Sequence, residues 1–89
     1  MTHTIKAWRD PFQAMWDRKK LFEFRKDDRG YEVGDYVIIH ETDENAEYVL
    51  SGRRICGTIS FALKGPSFGV PVGYVVLSLD IECNLEAGK

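Results

Sequence analysis

The chain changes period once, and that change limits its fold more than any other feature. One stretch near the N-terminus repeats at helical spacing. From residue 21 onward, apolar residues recur at spacing two between turns rich in glycine and proline. Asp10-Pro11-Phe12-Gln13 reads as a helix start, with Asp10 capping free N–H groups, Pro11 at the first helical position and Gln13 where a capping-box partner belongs. Phe12, Met15 and Trp16 follow at i, i+3 and i+4, which predicts a helix from Pro11 to Lys19 with one apolar stripe, Trp16 on its core side. His3–Trp8, before it, reads as a short strand or extended arm.

Leu21-Phe22-Glu23-Phe24-Arg25 is the clearest period-two run. Successive strand side chains face opposite ways, so Phe22 and Phe24 share one face and Glu23 and Arg25 the other. Aromatic burial predicts the phenylalanines inward, with the acid and the guanidinium toward solvent or a cleft. Residues 26–30 and Val33-Gly34-Asp35 read as turns, Tyr36–Glu41 as a strand, and Thr42–Ala46 as an acidic hairpin tip. Tyr48–Leu50 then predicts a short strand, Ser51-Gly52 a turn, Arg53–Leu63 a long strand, residues 65–73 a Gly/Pro loop, and Tyr74–Glu82 a final strand. The expected fold is mainly β (α+β), a small closed or nearly closed barrel of five to six strands, since closure would remove exposed edges, with one N-terminal helix capping an end. Residues 1–83 form one domain in this reading, and 84–89 a flexible tail.

An apolar content of 44% with 12% aromatics supports a folded core and excludes a disordered chain. No apolar run approaches the ~20 residues of a membrane span, and the N-terminus lacks a secretory pattern, so a cytoplasmic domain is expected. Cys56 and Cys83 are too few for a disulfide scaffold and lack zinc spacing, and no phosphate-cradling loop or Ser/His/Asp context is present. No cofactor and no metal are expected. The net charge of −2 argues against bulk polyanion binding. Its distribution says more: six of the twelve basic residues fall within 18–29, which points to one electropositive face on an acidic body or to a solvated charge run.

In this order, His3-x-Ile5-Lys6-x-Trp8, Phe12, Lys20-x-x-Glu23-x-Arg25, Lys26-x-Asp28-Arg29, Val33-Gly34-Asp35 and Gly73-Tyr74-Val75-Val76-Leu77-Ser78 resemble a small bacterial and phage family of unassigned function. That family belongs to the ASCH superfamily, which shares the PUA-like β-barrel. The resemblance covers residues 3–82 and implies an RNA- or nucleotide-binding domain with its ligand in a cleft beside the barrel. Arg18 stands where the superfamily usually has glycine, two residues before the motif lysine, so the helix-to-strand junction is expected to differ. In the amidohydrolase branch the resemblance implies a lysine, a threonine three residues later and a distant helical glutamate. Lys20 matches, but Glu23 occupies the threonine position and residues 63–74 contain no acid, which leans against that activity.

The candidate ligand site is Lys20, Glu23 and Arg25 at its polar centre, with Lys6, Trp8, Arg29 and Tyr74 around it. The 26–30 turn and the 65–73 loop are its expected rims. Lys20 and Arg25 suit a phosphate or carboxyl group and Glu23 a base or sugar donor; the bland alternative is an exposed ion-pair row. Arg29 suits a bidentate phosphate grip, unless Asp27 and Asp28 neutralise it and Lys26 locally. Trp8 either stacks on an unpaired base or packs under the helix end, and Tyr74 either lines the opening or fills the core. His3 is a ligand donor or a structural histidine, while His40 is given no role. The alternatives from other classes are a small hydrolase acting on RNA or a modified nucleoside through Lys20, Glu23 and His3, and a phage or mobile-element protein-interaction module using the acidic 41–47 tip.

Overall fold

The computed structural model describes residues 1–42 and 49–86. Five strands and one helix follow in the order β1 (Thr2–Trp8), α1 (Arg9–Trp16), β2 (Phe22–Lys26), β3 (Tyr36–Thr42), β4 (Val49–Lys64) and β5 (Tyr74–Leu85). They form one sheet of order β1-β3-β4-β5-β2, parallel between β1 and β3 and antiparallel elsewhere. The sheet curls into a half-barrel that does not close: β1 and β2 stand at its two ends, each with one edge lacking a strand partner among the described residues. Of the closed or nearly closed barrel expected, the structure shows a curled, barrel-like sheet of five strands whose ends do not meet.

The core lies on the concave face. It is built from Ile5 and Ala7 of β1, Val37 and Ile39 of β3, Ile55 and Ile59 of β4, and Val75, Leu77 and Leu79 of β5, with Phe12 and Met15 from α1 and Tyr31 beside them. β1, β3, β4 and β5 contribute residues of one parity, as a sheet with one wet face requires, and β2 contributes none. The predicted turn at Ser51-Gly52 is instead part of one long strand, β4, in which Gly52 has a positive φ of 77°. The acidic tip lies largely outside the described residues. β5 runs through Asn84 and Leu85, which the sequence had left to the tail.

The helix differs from expectation at both ends. It starts directly from β1 at Arg9, with Trp8 as an N-cap residue that makes no side-chain cap hydrogen bond. Asp10 and Pro11 thus fall inside the first turn, where the N–H groups have no intrahelical acceptor and a proline costs nothing. The helix ends at Trp16 instead of Lys19, because Arg18 takes a left-handed φ of 62°. The Arg18 N–H then donates to the Met15 carbonyl (3.0 Å) and the Lys19 N–H to the Ala14 carbonyl (2.8 Å). This is the Schellman pattern, which stops a helix whatever the helix propensity of Lys19. The junction is the left-handed turn that the resemblance associates with glycine, made here by arginine.

Candidate functional site

β2 pairs antiparallel with β5, setting Glu23 opposite Leu77 and Arg25 opposite Val75. Val75 and Leu77 are fully buried core residues, so Glu23 and Arg25 share their face, the concave one. Phe22 and Phe24 consequently face outward, 48% and 50% exposed. The inward phenylalanines expected from the sequence are a correction. The parity of an edge strand follows the core residues of its partner, and on this edge the concave side is a polar hollow at the unclosed seam. Phe24 stacks on Tyr74, with ring centroids 5.4 Å apart and planes 12° from parallel.

Glu23 is the centre of the hollow. Its Oε1 accepts from Lys20 Nζ at 2.8 Å and its Oε2 from Arg25 Nη1 at 3.2 Å. Lys20 Nζ also donates to the Phe22 carbonyl at 2.7 Å and sits 4.8 Å from the Phe22 ring centroid. The Schellman turn delivers Lys20 to this position. Asn84 fixes the turn from outside, its amide donating to the Trp16 carbonyl (3.0 Å) and its side-chain oxygen accepting from Arg18 (2.7 Å). Two cations on one carboxylate leave local positive charge, and Lys6 is among the residues lining the opposite side of the cleft. Two buried polar atoms nearby, Arg25 Nε and the Tyr31 hydroxyl, lack a hydrogen-bond partner among the described residues. Burial pushes the Tyr31 hydroxyl up, against the lowering effect of the Arg25 charge, so it remains a donor at neutral pH.

A cleft of about 380 Å³ opens here, lined by Lys6, Ala7, Trp8 and Pro11 on one side and by Lys20 and Phe22–Arg25 on the other. The volume lies within the usual range for small-ligand sites. Trp8 is 54% exposed on the lip instead of packed beneath the helix. Lys6, Trp8, Lys20, Glu23 and Arg25 thus come together as the sequence reading grouped them.

The other expected contributors do not join them. Tyr74 does not line the cleft; its ring stacks on Phe24, which does. Arg29 spans the seam outside the cleft, Nη1 donating to the Thr4 carbonyl of β1, and so acts as a strut between the two ends of the sheet. The 26–30 turn and the 65–73 loop do not line the cleft; the two are tied to each other through Asp27 N–H to the Gly73 carbonyl at 2.8 Å. His3 is buried, bonded to Asp35 at 2.8 Å and against the Tyr31 ring at 4.6 Å, a structural histidine. Ala7, Pro11, Phe22 and Phe24 were missed as lining residues. Only the seam between β1 and β2 reveals them, and a strand order that is not sequential is invisible in the chain. Among the described residues, no group of three His, Cys, Asp or Glu side chains is placed to hold a metal ion. None of the described helices is long and apolar enough to cross a membrane.

The described residues form a small half-barrel of mainly β structure with one short helix and a cleft at its unclosed seam. Its sequence places it in a family: the chain belongs to DUF3850, described only as a domain of unknown function, whose profile matches residues 2–79. It is also similar to an uncharacterised 12.9 kDa protein from the region 3′ of GpA in Escherichia phage P2, at 40% identity over 53 residues. That match spans 60% of this chain and 46% of the phage protein.

Proposed function

We propose that this protein is an RNA- or nucleotide-binding domain of the PUA-like, ASCH type, whose seam between β1 and β2 receives one unpaired nucleotide unit. The observation that carries this reading is the juxtaposition of an electropositive carboxylate-centred cluster, Lys20–Glu23–Arg25, with the exposed Trp8 across a cleft of nucleotide dimensions. The cations suit a phosphate oxygen, Glu23 keeps lone pairs for a base or sugar donor, and the indole face suits a ring. Arg25 Nε, buried and unpartnered, is a donor that an anionic ligand would satisfy.

Fluorescence anisotropy with single-stranded RNA oligomers and with free nucleotides tests this. Binding is expected to weaken with salt, by about tenfold or more on Arg25→Ala, and by about 1–3 kcal/mol on Trp8→Ala through lost stacking. Binding indifferent to both substitutions, or retention of no RNA and no nucleotide, rejects the reading.

A second reading rests on the 2.8 Å contact between Lys20 Nζ and Glu23 Oε1, an amine and a carboxylate placed for acid–base work on RNA or a modified nucleoside. It predicts product formation that Lys20→Ala abolishes while binding largely survives.

A further inference from the structure

We infer that Cys56 and Cys83 are a thiol pair placed to exchange with small-molecule disulfides, closing a covalent link between β4 and β5. Both thiols are free, and the two residues are Cα partners in the antiparallel ladder. Directly opposed residues of such a ladder have Cα atoms ~4.5–5.5 Å apart, inside the ~4.4–6.8 Å window of natural disulfides. The side chains also influence one another: on top of burial, Cys83 raises and Tyr36 lowers the Cys56 thiol. Tyr36, pushed up to about 12 chiefly by its contact with Cys56, stays protonated and donates toward that sulfur.

The two cysteines divide the chemistry by access. Cys83 is half-buried and meets the reagent, while Cys56 is buried. The Cys83 thiolate attacks one sulfur of a disulfide RSSR, forming Cys83–S–SR and releasing one RS⁻. The Cys56 thiolate then attacks Cys83 Sγ, forms the internal bond and expels the second RS⁻. The protons of the two cysteines end on the two released thiolates. Two protein thiols are oxidised and one small disulfide is reduced to two thiols. Burial pushes the Cys56 thiol up, so the second step quickens as pH rises.

The link bears on the cleft by position. Cys83 precedes Asn84, which holds the Trp16 carbonyl and the Arg18 guanidinium at the turn leading to Lys20. A bond at residue 83 fastens the end of β5 that carries this clasp. The inference does not depend on what the cleft binds.

The native protein, incubated with graded ratios of oxidised to reduced glutathione and read by intact mass after thiol alkylation, tests the pair. The expected product is a monomer lighter by two hydrogens, formed at least tenfold faster than in urea-unfolded chain, with the melting temperature raised by about 10 °C. Cys56→Ser is expected to stop at the glutathione adduct of Cys83, and Cys83→Ser to react at least tenfold more slowly. Cys83→Ala serves the same arm if the serine variant does not fold. Persistent mixed disulfides in the native chain, cross-linked dimers, or an internal bond that forms no faster folded than unfolded would overturn the inference.

Discussion

Arg18 holds a backbone conformation that costs a side-chain-bearing residue ~1 kcal/mol and costs glycine almost nothing. Its compensation is one exposed hydrogen bond to Asn84. Water competes for both partners of this exposed bond, so it offsets the strain only in part. Arg18→Gly is therefore expected to stabilise the protein by up to about 1 kcal/mol, read as a higher urea midpoint with an unchanged slope. A lower midpoint would mean that the Asn84 clasp outweighs the strain. At this scale the sequence marked the position, since a left-handed turn is harder for arginine than for glycine, but the change of junction expected from it does not occur: the turn forms on Arg18 itself. The orientation of Phe22 and Phe24 was not legible. Hydrophobicity alone sends them inward, and only the register with Val75 and Leu77 turns them out.

The helix is the element that depends most on side chains distant in sequence. Arg53 of β4 places its guanidinium 5.1 Å from the Phe12 ring centroid and 4.7 Å from that of Trp16, and meets buried Glu41 of β3 through Nη2 at 3.2 Å and Nε at 3.4 Å. A planar fork can bridge a carboxylate while stacking on two rings, and an ammonium cannot. Arg53→Lys is expected to cost about 1–2 kcal/mol, and amide exchange would show α1 loosened before the sheet. Uniform loss of protection across the strands would refute this anchoring role. The apolar stripe of α1 was readable from spacing alone. Its partner was not, since Arg53 reads in sequence as one more surface cation.

Across the whole molecule, Asp35 ties the N-terminus to the middle of the chain. Its carboxylate accepts from His3 at 2.8 Å and from the Glu32 N–H at 3.1 Å, and lies 3.4 Å from the terminal amine. The His3 hydrogen bond, the largest cause, holds Asp35 below its ordinary value of 3.8. Since the folded state binds this proton more weakly than the unfolded chain does, the stabilisation is complete above that value and is lost as pH falls through the folded one. Asp35→Asn is expected to be less stable than the parent near neutral pH, with the gap narrowing below about pH 4 in urea titrations run across that range. A gap that stays constant into acid would show that charge is not what Asp35 contributes. The same fastening keeps β1 in place as one lip of the cleft, so the acid-labile contact and the cleft share a strand.

By itself the sequence determined the mainly β class, one short helix with its apolar stripe, and the closeness of Lys20, Glu23 and Arg25 at the helix-to-strand junction. These follow from local period and from short separations along the chain, which covalent geometry constrains directly. Tertiary structure alone decided that the barrel stays open, that Phe24 stacks with Tyr74, that Arg29 becomes a strut and that Cys83 lies opposite Cys56. Each of those outcomes depends on strand order and register. Order and register are fixed by the total burial of all five strands together, and no local stretch of residues contains that sum.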